Sequence, residues 1–139
     1  MKSGLTDEVR IPVILGSEKI ARERSASFAA AVGFGEDRIE DIKTAVSEAS
    51  LNAIEHAAPG DPLDEVVVQF SGDQDGMQIA VMNKGVPFVP KAGKPDIKDK
   101  IEGNDRPRGW GLFLIRELAD EVEFRNENNV TTVTMKFLL

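Results

Sequence analysis

Apolar side chains recur at steps of three and four positions between residues 37 and 57. The residues in this pattern are Ile39, Ile42, Val46, Ala49 and Ala53. Such spacing places them on one face of an α-helix, and we expect that face to belong to the hydrophobic core.

A second stripe on the same predicted helix carries polar side chains. Glu48, Asn52 and His56 follow one another at steps of four. Each step drifts by only about 40° around the axis, so the three groups line one edge of the helix over roughly 12 Å. A solvated polar stripe is the alternative interpretation, although an ordinary exposed face more often carries pairs of Lys and Glu.

Two elements are predicted before this helix. Residues 7–15 have the pattern of a strand, and Pro12, which has no backbone N–H for the ladder, indicates a sheet edge or a limit of the strand pairing. A helix is predicted over 18–32 and ends at Gly33. One face of this helix is predicted to carry, roughly in line, Ile20, Arg24, Phe28 and Ala31.

The second half of the chain predicts two β-hairpins with a helix between them. The first hairpin pairs strands 64–71 and 77–83 through a turn at 72–76. The second pairs 122–127 and 130–139 through Asn128-Asn129, residues suited to a tight turn with positive φ. The intervening helix covers 109–119, with Leu112, Ile115 and Leu118 facing inward.

The order of elements is β-α-α-β-β-loop-α-β-β. It predicts an α+β fold, a two-layer sandwich with helices on one face of a mixed, mostly antiparallel sheet. At 139 residues the chain is predicted to form a single domain over 1–139. The segment at about 84–108 contains Gly and Pro and few large apolar residues, so we predict a functional or mobile loop that acts as a lid.

Composition excludes several classes of protein. No apolar run approaches about 18 residues, so no membrane span is expected, and no apolar signal core begins the chain. The absence of Cys fits a reducing, cytoplasmic compartment. The chain contains no GxxxxGK[ST] motif, which argues against a P-loop nucleotide site.

Charge is unevenly distributed along the chain. The net charge of −7 disfavours direct binding of nucleic acid, whose phosphate backbone needs clustered positive charge. In contrast, residues 84–108 contain seven basic and four acidic side chains, a local excess of three positive charges. This loop suits a compact anion such as a nucleotide phosphate, and a solvated Lys-rich loop is the alternative.

Three segments carry the candidate chemistry. The first is the Glu48/Asn52 edge of the central helix, and the second is Asn83-Lys84-Gly85-Val86-Pro87-Phe88, where a strand ends in a polar residue. The third is Arg108-Gly109-Trp110-Gly111-Leu112, a glycine-rich entry to a helix. Glycines there leave backbone amides uncovered at a helix N-terminus, where phosphate binds, although a flexible hinge has the same composition.

In this order and spacing, the segments resemble the GHKL ATPases, and among them the anti-sigma-factor serine/threonine-protein kinases. EASLNAIEHA resembles the N-box, and NKGVPF stands at the position of the DxGxGF-like adenine box. RGWGLFLIRELADEVEF resembles the second glycine box with its following helix and strand. The resemblance covers nearly the whole chain and implies the Bergerat fold.

The resemblance also implies roles for individual residues. Glu48 would act as general base on a Ser or Thr hydroxyl of a protein substrate, and Asn52 would bind Mg²⁺. The residues implied in binding the ATP cofactor are Asn52, Asn83, Gly85, Arg108, Gly109, Gly111 and Leu112. The glycines would admit the nucleotide close to the backbone, and Arg108 would neutralise phosphate charge.

Asn83 departs from the family pattern, which usually has Asp at this position. A neutral amide in place of a carboxylate is expected to cost about 1 kcal/mol, or about fivefold, in affinity for adenine. The amide also donates, so discrimination between adenine and guanine is expected to be relaxed. The alternative is a relative that binds nucleotide weakly or not at all.

The resemblance implies three kinds of partner. These are a sigma factor or equivalent target, an anti-sigma-factor antagonist, and a second copy of the chain in a homodimer. The Pro12 strand, as a predicted sheet edge, is a candidate contact for the homodimer. Two alternatives remain open at this point. One is a non-catalytic binding module of the same fold, and the other is the ATPase domain of a sensor histidine kinase.

Overall fold

The computed structural model describes residues 4–57, 65–84 and 110–139. These residues form three helices and five strands. The helices are α1 (Glu18–Val32), α2 (Glu36–His56) and α3 (Trp110–Leu118). The strands are β1 (Leu5–Pro12), β2 (Glu65–Asp73), β3 (Gly76–Lys84), β4 (Glu121–Glu127) and β5 (Val130–Leu138).

The strands form one sheet in the order β1-β2-β3-β5-β4. All four strand pairings in the described ranges are antiparallel, and the helices pack on one face. The predicted two-layer α+β sandwich is therefore confirmed. The edge position predicted for the Pro12 strand is also confirmed, because β1 pairs only with β2 within the described part of the chain.

The core lies between the sheet and the helices. Alternate residues of the central strands point into it, among them Val66, Val68 and Phe70 on β2. Phe28 of α1 reaches Phe70 with its ring centroid 5.4 Å away. The alternation of buried and more exposed residues along β2 thus corresponds to one covered and one open face of the sheet.

Helix α1 has the predicted bounds but not the predicted face. Ile20, Arg24 and Ala31 are exposed. The buried residues are Ala21, Ser25, Phe28, Ala29 and Val32. Most of these side chains are small, so α1 can lie close to α2 and the sheet. The close approach of the helix to its neighbours, and not the size of its side chains, therefore determines which face is buried.

The strand boundaries show two further differences from the sequence predictions. Strand β1 ends at Pro12, not at residue 15, because the N–H of Ile14 donates to the carbonyl of Pro12 at 2.8 Å and turns the chain. The β2–β3 turn is only Gln74-Asp75, because Gly72 and Asp73 still pair across the ladder. The positive-φ turn predicted in the second hairpin is confirmed at Asn128 (φ 53°) and Asn129 (φ 64°).

Helices α2 and α3 run in opposite directions. Arg38, near the start of α2, donates through Nη1 to the carbonyl of Leu118, the last residue of α3, at 2.7 Å. With a rise of 1.5 Å per residue in both helices, the start of α3 comes roughly level with residues 46–48 of α2. The glycine-rich entry of α3 is therefore directed toward the C-terminal half of α2.

Helices α1 to α3, the described helices, are each too short or too polar to cross a membrane.

Candidate functional site

A row of polar side chains crosses one end of the sheet. Asn83 on β3 pairs in register with Thr131 on β5, and Thr131 pairs in register with Asn126 on β4. Asn83 is 4% exposed and Thr131 is 3% exposed. Both lie on inward-facing positions, where β3 and β5 otherwise place Ile79, Val81, Val133, Met135 and Phe137. On β3 and on β5, the series of inward-facing apolar side chains therefore ends in a buried polar residue.

The hydrogen bonding of this row is directional. Asn126 donates from Nδ2 to Oγ1 of Thr131 at 2.7 Å. Asn83 has a buried Nδ2 with no hydrogen-bond acceptor among the described residues. A buried donor without an acceptor costs about 1–3 kcal/mol, so Asn83 is a poor structural choice at a position where aliphatic side chains fill the same column.

The polar edge of α2 is withdrawn from solvent except at its last residue, His56. Glu48 is half-buried with its Oε2 atom buried, and Asn52 is only 8% exposed. His56 is exposed, and its Nδ1 lies 2.9 Å from the carbonyl oxygen of Asn52. The solvated-stripe interpretation thus describes His56 and not Glu48 or Asn52, and His56 contacts the backbone at the helix end.

The sheet end that carries the polar row also receives α2 and α3. Arg38, near the start of α2, lies against Phe137, which pairs with Met77 at the beginning of β3, so the C-terminal half of α2 runs toward the opposite end of the sheet, where β3 ends at Lys84. The start of α3 lies at this end because its last residue is held by Arg38 at the other. Glu48, Asn52 and Asn83 are therefore gathered at one end of the sandwich, together with the first turn of α3.

The remaining predicted site residues divide into two groups. Gly111 lies in the first turn of α3, and Leu112 is 7% exposed with its side chain in the hydrophobic core. A role for Leu112 toward nucleotide would therefore fall to its backbone amide, not to its side chain. Gly85, Arg108 and Gly109, and the lid predicted at about 84–108 apart from Lys84, lie outside the described residues.

Thr131 and Asn126 were not singled out by the sequence predictions. A signal was nevertheless present, because Thr131 is the one polar residue among the inward-facing positions of β5 at 131, 133, 135 and 137. Asn126 also had a signal, because a two-residue turn at Asn128-Asn129 places it directly opposite Thr131 in the hairpin.

The carboxyl groups with lowered pKa lie away from this end, within the part of the chain that the structure describes. A hydrogen bond from the backbone N–H of Leu138, and then one from Arg38, lower the pKa of Asp120. A hydrogen bond from Arg24 lowers the pKa of Asp7. Contacts that hold the fold together lower the pKa of both carboxyl groups. The lowered pKa values are therefore unrelated to the polar row.

Comparisons with known proteins identify the family of this chain. Residues 15–137 match the family model of the histidine kinase-like ATPase domain. Serine-protein kinase RsbW of Listeria innocua is 32% identical over 123 residues, covering 86% of this chain and 78% of the relative. Serine-protein kinase RsbW of Bacillus cereus is 32% identical over 136 residues, covering 94% and 84%.

A solved structure supports the same fold. The RsbU and RsbW domains of a Mycobacterium tuberculosis protein superpose with a TM-score of 0.68 at 20% sequence identity. The match covers 96% of this chain but only 32% of the longer one. At this identity the likeness is evidence for the fold alone.

Proposed function

This chain belongs to the histidine kinase-like ATPase family, with RsbW serine-protein kinases among its relatives, and from that premise we propose that it is an ATP-dependent protein-serine/threonine kinase. The observation that carries the proposal is the position of Glu48 and Asn52. Both lie on one edge of α2, withdrawn from solvent, at the end of the sandwich toward which α3 begins. A solvated helix edge would not bury a carboxylate oxygen and an amide together.

Glu48 is proposed as the general base. Its carboxylate would take the proton from a Ser or Thr hydroxyl as that oxygen bonds to the γ-phosphorus of ATP. The bond between the γ-phosphorus and the bridging oxygen then breaks, and ADP leaves. Half-burial of Glu48 excludes part of the surrounding water, which strengthens its interaction with the hydroxyl.

Asn52 is proposed to hold Mg²⁺ together with the nucleotide phosphates. An amide oxygen is a hard neutral ligand, and Mg²⁺ usually takes only one or two protein ligands beside phosphates and water. When bound, the ion would neutralise charge that develops on the transferred phosphoryl group. The Asn52 side chain is 8% exposed on this edge of α2, and its amide oxygen is the kind of hard oxygen ligand that fits this ion.

The partners follow from the same proposal. The chain would bind a sigma factor or an equivalent target, and phosphorylating an anti-sigma-factor antagonist would release that antagonist. We propose action in the cytoplasm as a homodimer, without direct contact to nucleic acid. The outer edge of β1, which pairs with no strand among the described residues, is a candidate contact between copies.

A binding module without phosphotransfer is the second candidate. Asn83 favours it, because the amide removes the charge that a carboxylate would place at the base. Incubation with γ-labelled ATP, Mg²⁺ and a candidate antagonist separates the two. Label transferred to a Ser or Thr of the antagonist supports the kinase. Tight binding of the antagonist or target without transfer, at saturating ATP, supports the module.

A further inference from the structure

The C-terminal end of α3 is held by one side chain from another helix. Arg38 of α2 donates from Nη1 to the carbonyl of Leu118 at 2.7 Å, and from Nη2 to Oδ2 of Asp120 at 2.8 Å. The last carbonyls of an α-helix have no partner within the helix, and they form the negative end of its dipole. A guanidinium at Leu118 therefore acts both as a cap for α3 and as a charge that complements it.

Arg38 is itself fixed in position. Its Nη1 atom also donates to Oδ2 of Asp41 at 3.2 Å, and its guanidinium carbon lies 5.2 Å from the ring centroid of Phe137 on β5. The side chain is 29% exposed. Because the guanidinium is a planar fork with donors in fixed directions, these contacts define where it lies. The end of α3 is thus held at a set position against both α2 and the sheet.

The other end of α3 depends on this attachment. Helix α3 has nine residues, so its first residue lies about 12 Å along the axis from Leu118. A tilt of only about 5° around Leu118 would move that first residue by about 1 Å. Leu112 and Ile115 hold the helix on the core, but apolar contacts are not directional and constrain its angle less than hydrogen bonds do.

We propose that Arg38 is a positioning residue for nucleotide binding. By fixing the last residue of α3, it sets where the first turn of α3 lies relative to the Glu48 and Asn52 edge of α2. Arg38 precedes Glu48 by ten residues, or about 15 Å along α2, so it acts through α3 and not by contact with the nucleotide. This inference rests on the proposed function, because the first turn of α3 matters for ATP only if ATP binds beside it.

A role in stability alone is the competing explanation for these contacts. The two roles differ in what the loss of Arg38 does to molecules that are still folded. Loss of stability lowers the folded fraction and leaves the affinity of each folded molecule unchanged. Loss of position lowers the affinity of the folded molecules themselves, because a displacement of about 1 Å is enough to misplace groups that act on a ligand.

The test is calorimetric titration of the full chain with ATP and Mg²⁺, at a temperature where circular dichroism melting shows each variant to be folded. Arg38→Gln removes the charge and the fork of donors, and we expect ATP affinity to fall about tenfold, as for the loss of one hydrogen bond to a charged group. Arg38→Lys keeps the charge but cannot reproduce the fork, so we expect a smaller loss of about threefold.

Two controls separate position from charge and from stability. Lys43→Gln removes the same charge from the same helix at a side chain that is 27% exposed, and the Nζ atom of Lys43 bonds to Glu40 within α2 at 3.1 Å. Gly33→Ala strains the backbone at the end of α1, where φ is 119°, and so lowers stability at a position outside α3. Both should leave ATP affinity unchanged within about twofold.

The possible outcomes distinguish this inference from the proposed function. ATP affinity that is unchanged in folded Arg38→Gln, or lowered no more than in Gly33→Ala, overturns the positioning role and leaves the kinase proposal intact. If Arg38→Gln does not fold, Arg38→Lys decides by the same criterion. Absence of ATP binding by the unmodified chain overturns both.

Discussion

Arg38 and Asp120 form an ion pair that fastens the end of the sandwich opposite the polar row. The Nη2 atom of Arg38 donates to Oδ2 of Asp120 at 2.8 Å, and the same oxygen accepts from the N–H of Leu138 at 2.7 Å. Arg38 also donates to the carbonyl of Leu118, and its guanidinium carbon lies 5.2 Å from the ring centroid of Phe137. One side chain thereby joins α2, α3 and β5.

Asp120→Asn should destabilise the fold in a pH-dependent way. The pKa of Asp120 is lowered in the folded state, so its contribution is present above the unfolded pKa of about 3.9 and is lost as pH falls through the folded value. Since the side chain is partly exposed, we expect a loss of about 1 kcal/mol at pH 7. Urea unfolding should show a difference in unfolding free energy between the variant and the unmodified chain at pH 7. This difference should narrow as the pH is lowered below about 4.

Glu121→Gln is the control for this substitution. Glu121 neighbours Asp120 but is 67% exposed, and it pairs with Lys136 at 3.7 Å. We expect a change in unfolding free energy within about 0.5 kcal/mol at all these pH values. A pH-independent effect of Asp120→Asn would contradict the assignment of Asp120 as a charged anchor.

Gly76→Ala should destabilise the protein more than Gly33→Ala. Both glycines have positive φ, 149° and 119°, so each substitution strains the backbone by about 1–2 kcal/mol. At Gly76 an added Cβ would also lie 2.1 Å from the carbonyl oxygen of Phe137, whereas at Gly33 it meets nothing within 4 Å. Chemical denaturation should give an unfolding free energy that is lower for Gly76→Ala than for Gly33→Ala by at least about 1 kcal/mol. Equal losses would mean that the backbones of β3 and β5 do not approach as closely at Gly76 as described.

Glu48→Gln should separate binding from chemistry. The amide keeps the shape of the side chain but removes the proposed base, so nucleotide affinity should be retained while phosphotransfer falls by roughly 10²–10⁴-fold. Transfer of label from γ-labelled ATP to the protein substrate measures the rate. Glu55→Gln, at an exposed position on the same helix, should leave the rate unchanged. Undiminished transfer by Glu48→Gln would remove Glu48 from the mechanism.

Asn52→Ala should weaken Mg²⁺-dependent ATP binding more than metal-free ADP binding. The proposed role of the amide oxygen is to hold the ion, which contributes only when metal and phosphates are present together. Calorimetry with Mg²⁺ and with chelator measures the two losses separately. Equal losses would mean that Asn52, at 8% exposure, serves only the packing of α2.

Local elements of this protein are determined by its sequence. The apolar period of 37–57 matches α2 within one residue at each end, because a 3.6-residue repeat is a property of the segment itself. The turn at Asn128-Asn129 can also be predicted from the sequence, because asparagine adopts positive φ more readily than most residues. Family motifs that lie within single elements, such as EASLNAIEHA on α2, can likewise be recognised from the sequence alone.

The tertiary structure alone decided which elements lie next to one another. Thr131 joins Asn83 because β5 lies between β3 and β4, an arrangement set by long-range pairing and not by any local pattern. Likewise, the exposed Ile20 and the buried Ser25 on α1 depend on what packs against that helix. Periodicity defines stripes of residues, whereas the partner surface determines which stripe is buried and whether a polar group there is satisfied.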